Sequence, residues 1–62
     1  MNRTISRAVE ILEMIAKDKN GMTLKEISDH LGIPKSSTFE IVQTLVQLKM
    51  ADTSFYNDKK YI

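Results

Sequence analysis

The sequence contains no cysteine and no tryptophan, and only one proline, two glycines and one histidine in 62 residues. Without cysteine there is no disulfide framework and no thiolate metal site. A single histidine, His30, cannot build a metal site without partners. The longest uninterrupted apolar run is Met14-Ile15-Ala16. A membrane-crossing helix needs about 20 apolar residues, and the N-terminus lacks the apolar core of a signal peptide. The chain is therefore expected to be cytoplasmic and to leave membranes alone. Catalytic constellations are missing too. There is no Cys-His pair and no Gly-rich phosphate loop, and the carboxylates fall on solvated helix faces with no apolar pocket to raise their pKa. An enzyme is not expected, and neither is a cofactor.

What remains is enough for one small domain, residues 1–62. At 42% hydrophobic residues a core can form, although a chain this short buries only about 60% of its unfolded surface. The net charge of +1 does not by itself announce a nucleic-acid binder. A neutral total can still hide one basic face. Arg3, Arg7, Lys35, Lys59 and Lys60 are set largely apart from the acids Glu10, Glu13, Asp18, Glu26 and Asp29.

Periodicity divides the chain. In "ISRAVEILEMIAKDKNG", Ile5, Ala8, Val9, Leu12, Ile15 and Ala16 recur at steps of three and four, which predicts an amphipathic helix ending at Asn20-Gly21. Ile11 lies beside that stripe and Met14 well off it, so both are expected on the surface, available for a dimer contact or as scattered surface hydrophobes. In "TLKEISDHLG", Thr23 and Glu26 have capping-box spacing. Leu24, Ile27 and Leu31 face one way, and Gly32 supplies a left-handed stop. Ile33 and Pro34 then turn the chain into a third helix, spanning about 35–49. Two helices joined by a tight glycine-containing turn make a helix-turn-helix.

On this third helix Thr38, Ile41, Val42, Leu45 and Leu48 form the inward stripe. At about 100° per residue, Ser36, Phe39, Glu40, Gln43 and Gln47 gather opposite. Beyond it, Asn57-Asp58 marks a turn between Phe55-Tyr56 and Tyr61-Ile62, which predicts a hairpin starting near Met50 with its apolar residues leaning on the helices. The fold class is thus mainly α with a small β-hairpin: a winged helix-turn-helix of three helices plus wing.

Three stretches carry a resemblance: "RAVEILEMIA" (residues 7–16), "MTLKEISDHLGIPKSST" (residues 22–38) and the leucine pattern ending at Leu48. Here the chain resembles the N-terminal DNA-binding domain of IclR-type bacterial transcriptional regulators. The likeness covers nearly the whole length, and "LKEIS..LGIPKSST" is its most specific part. It implies pairing of DNA-binding domains. It also implies a larger second domain that binds a small-molecule effector and helps oligomerisation. That second domain is absent from this sequence, so the chain is expected to be either cut from a longer protein or a stand-alone relative, and an end at Tyr61-Ile62 favours the cut. Two features depart from the pattern. Phe39-Glu40 stands where family helices often carry His-Arg, and the hairpin lacks the usual proline and glycine of the wing. An acid in place of a cation weakens attraction to phosphate.

Each candidate residue has a functional and an ordinary role. The low-charge face of Ser36, Phe39 and Gln43 suits base edges: Gln pairs with adenine, Ser with bases or phosphate, Phe with a thymine methyl. Otherwise it is a solvated face, or Phe39 touches a partner protein. Glu40 either accepts from a cytosine amino group or is a surface acid. Lys35, Ser36 and Ser37 can hold a phosphate at the helix start, where Ser and Thr are also common caps, and Thr44 flanks them. Lys59 and Lys60 suit minor-groove or backbone contacts by the wing, or merely guard an edge strand. Arg7 can clamp a phosphate or pair with Glu10 or Glu13. His30 is expected to complement the dipole at the end of the second helix.

The leading expectation is sequence-specific binding of double-stranded DNA by a homodimer, possible through Ile11 and Met14 of the first helix. The competing one is a winged helix used for protein assembly without DNA.

Overall fold

The computed structural model describes residues 2–55 and 59–62. Helix α1 runs Arg3–Lys17, α2 Leu24–Leu31 and α3 Lys35–Gln47, followed by strands β1 (Thr53–Ser54) and β2 (Lys60–Tyr61). The fold is a winged helix-turn-helix, as the sequence predicts.

Each boundary has a local cause. The Asn2 side chain accepts hydrogen bonds from the amides of Thr4 (2.8 Å) and Ile5 (3.1 Å) and starts α1. That helix stops three residues before the expected Asn20-Gly21, because Asp18 turns extended and its carboxylate accepts from the Asn20 amide at 3.0 Å. The α2 capping box forms in both directions. The Thr23 amide donates to Glu26 Oε1 at 2.8 Å, and the Glu26 amide donates to Thr23 Oγ1 at 3.1 Å. Gly32 closes α2 at φ +69, a conformation that side chains disfavour. At the end of α3 the Lys49 amide donates to Val46 O (3.0 Å) and the Met50 amide to Leu45 O (2.9 Å). That pair of bonds is a Schellman motif, with Lys49, at φ +62, in the place glycine usually holds.

The core is Ile11, Ile15, Ile27, Val42, Leu45, Ala51 and Tyr61, with Ala8, Leu12, Met14, Leu24, Leu31 and Ile41 among the half-buried residues packed on it. This corrects the expected phase of α1. Ile11 is 0% exposed and Met14 is half-buried against the core, whereas Ile5 and Val9 are 64% and 49% exposed. The apolar surface of α1 is wider than one stripe. The side that meets α3 is set by packing, which hydrophobic spacing alone does not encode. Ile11 and Met14 are thus taken up by the monomer and are not free for a partner. Leu48 is corrected as well: it lies at the α3 C-cap and is 63% exposed.

The hairpin pairs Thr53 with Tyr61 and Ser54 with Lys60, antiparallel. It starts later than Met50, and the expected turn at Asn57-Asp58 lies outside the described residues. Of its apolar residues Tyr61 is buried, while Phe55 is exposed and does not lean on the core. Tyr61 is also bridged to Met22: its amide donates to Met22 O at 2.7 Å and its carbonyl accepts from the Met22 amide at 2.9 Å. The wing is thereby fastened to the connection between α1 and α2.

Candidate nucleic-acid interface

Helix α3 presents a divided surface. Thr38, Val42 and Leu45 are buried, and the Thr38 hydroxyl donates to Pro34 O at 3.0 Å. Opposite them lies an exposed arc of Lys35, Ser36, Phe39, Glu40, Gln43, Thr44 and Gln47. The tight turn at Gly32 stands α3 against α2 so that this arc faces outward. Along the arc, Phe39 is nearest the wing, Ser36, Gln43 and Gln47 are central, and Glu40 and Thr44 lie toward α1.

The start of α3 differs from the other two helix starts. Asn2 and Thr23 cap α1 and α2 through side chains, while Pro34 offers none and no side-chain cap bond is made. The first-turn amides of Lys35, Ser36 and Ser37 have no intrahelical acceptor, and no acid occupies that turn. The positive end of the helix dipole is therefore uncompensated there. The ordinary reading of Ser36 and Ser37 as caps receives no support from this geometry. Thr44 is partly committed, because its hydroxyl donates to Glu40 O at 2.9 Å.

The remaining candidates divide into three places. Arg7 is half-buried and shares a groove between α1 and α3 with Ser37, Glu40 and Thr44. Among the described residues the Lys25–Asp29 ion pair at 3.1 Å and the approach of His30 Nε2 to Glu10 at 4.0 Å leave Arg7 out. Lys59 sits at the wing with its Nζ 5.7 Å from the centre of the Phe39 ring. Lys60 belongs elsewhere. Its Cβ lies next to Gly21, and its charge is one of the smaller influences on Glu26. The Thr23 amide chiefly, then the Thr23 side chain, hold the Glu26 carboxyl below its ordinary pKa. Among the described residues no cluster of His, Cys, Asp or Glu could hold a metal, and no helix is long and apolar enough to cross a membrane.

The family model of the IclR helix-turn-helix domain matches residues 4–53. The chain belongs to that family. Neither the curated proteins nor the solved structures give a significant match. The matched segment of this IclR helix-turn-helix domain starts at the second residue of α1, takes in α2 and α3 and ends at the first residue of β1, so Lys59 and Lys60 fall beyond it. The family is one of DNA-binding transcriptional regulators, which agrees with the outward arc of α3. Sequence reasoning missed two things at this site. One is the exposed apolar pair Ile5 and Val9 beside the α1–α3 groove; α1's breadth was its only signal. The other is the gathering of Phe55 and Tyr61 with Phe39 around one lysine, for which residues so far apart in the chain give no local signal.

Proposed function

We propose that this domain binds double-stranded DNA sequence-specifically, with α3 in the major groove and the hairpin alongside. The observation that carries the reading is an α3 whose exposed arc centres on the uncharged polar residues Ser36, Gln43 and Gln47, with Lys35 and Glu40 balancing in charge, and whose first turn has no side-chain cap. Gln43 and Ser36, at the centre of the arc, are suited to base edges, and Glu40 to a cytosine amino group. Lys35, the amides and hydroxyls of Ser36 and Ser37, Thr44, and Arg7 from across the groove are suited to phosphates. Phe39 lies at the wing edge of the arc, and Lys59 beside it supplies a positive charge at the wing, whereas Lys60 lies away from the arc beside Gly21.

A net charge of +1 leaves a single domain few phosphates to neutralise, so its affinity is weak and its salt dependence shallow. Useful occupancy then comes from a homodimer addressing two half-sites about 34 Å apart. The exposed Ile5 and Val9 of α1 support pairing better than the buried Ile11 does.

The test is selection of preferred sites from random duplex DNA, followed by two variants. Gln43→Ala should relax preference at one base-pair position, at a cost of about 1–3 kcal/mol on the best site. Lys35→Ala should weaken every sequence alike. Equal losses on all sequences for both variants would refute the assignment of roles. Salt-insensitive self-association with no DNA binding at low salt would instead favour the protein-assembly role.

A further inference from the structure

Phe39 is 39% exposed on the outward arc of α3, and a cation from the wing lies over its ring. The Lys59 ammonium lies over it at 5.7 Å from the ring centre, and the same Nζ is 6.0 Å from the centre of Phe55 and 5.5 Å from that of Tyr61. These distances are within the range of about 6 Å at which a cation is drawn to a ring face. The three rings come from three places: α3, the residue after β1, and β2 itself. Two of them have fixed supports. Phe39 rides on α3, whose other side is core, and Tyr61 is 2% exposed and bridged to Met22. Strand alternation separates Lys59 from Lys60, sending neighbouring side chains to opposite faces, which accords with Lys60 lying beside Gly21.

We propose that Lys59 is a positioning residue for DNA binding: its ammonium, seated among Phe39, Phe55 and Tyr61, latches the hairpin to α3 and sets the wing's angle to the groove. Phe39 is then the α3 half of the latch and not a reader of thymine methyls. The consequence for DNA rests on the function proposed above, whereas the latch itself is a property of the free protein.

Proton NMR of the free 62-residue chain tests the latch directly. The Lys59 ε-methylene should resonate upfield of the other lysines through ring currents, lose part of that shift in Phe39→Leu, and keep it when DNA is added. On DNA, Lys59→Met and Phe39→Leu should each weaken binding by about two- to five-fold. The double variant should lose little more than either single one, because one contact is removed twice. Lys59→Arg, which keeps a cation for the rings, should restore binding. A Lys59 ε-methylene at ordinary shifts in the free protein overturns the proposal, as does loss of the shift on adding DNA or full additivity of the two substitutions. Should the chain bind no DNA at all, the free-protein spectra still decide whether the latch exists.

Discussion

Gly21 and Gly32 both take left-handed conformations, at φ +80 and +69, yet they answer to different constraints. A Cβ on Gly32 would meet nothing within 4 Å, while one on Gly21 would come 2.5 Å from Ile62 Cγ2 and 2.9 Å from Tyr61 O. Gly32→Ala should therefore cost only the backbone term, about 1 kcal/mol. Gly21→Ala should cost clearly more, because the strand end must also move. Thermal unfolding of the two variants checks the order. At roughly 4–8 °C per kcal/mol for a domain this small, the Gly21 variant should melt well below the Gly32 one, and equal melting temperatures would contradict the crowding at Gly21. Gly32 was readable in the sequence, since a glycine followed by Ile-Pro after a short apolar period announces a helix stop. The second duty of Gly21 was not, because its neighbours Tyr61 and Ile62 come from the far end of the chain.

At the scale of elements, α2 and the turn into α3 were legible almost residue by residue. A capping box and a left-handed stop are local devices whose partners lie within four residues. Helix α1 was legible as a helix but not in its rotation. Its apolar surface spans both Ile11–Ile15 and Ile5–Val9, and only the partner α3 selects between them. The selection can be tested. Ile11→Ala, which empties a fully buried site, should cost about 2–5 kcal/mol. Val9→Ala should stay within about 0.5 kcal/mol at low protein concentration. Chemical denaturation of the two variants, read at constant slope, checks the contrast, and comparable losses would restore the phase first read from the spacing. The length of α3 was overread by two residues, because the Schellman turn at Lys49 uses a lysine where the usual glycine would have flagged the stop. The candidate interface was half legible. The polar arc follows from the wheel, but the Lys59–Phe39 contact joins residues whose separation no local pattern bridges.

For the whole molecule, the balance of charge bears on the paired DNA binding proposed above. A nearly neutral domain gains little from long-range attraction to DNA, so a second copy should matter more than any single contact. Joining two copies through a flexible linker of about 40 residues, whose root-mean-square reach is near 34 Å, should tighten binding to a two-half-site duplex by about 100-fold or more. The same linked protein should gain almost nothing on a duplex bearing one half-site. Titrations on the two duplexes separate these outcomes, and an equal gain on both would point to general stickiness rather than paired recognition.

The two hydrogen bonds between Met22 and Tyr61 are continued by a reciprocal pair between Asp52 and Ile62, each 2.9 Å. Amides at positions 22, 52, 61 and 62 should therefore exchange with deuterium as one slow cooperative group, although they are drawn from three separate stretches of chain. Strain applied to the wing from outside would then be passed through Tyr61 to the loop ahead of α2, and so toward the seat of α3.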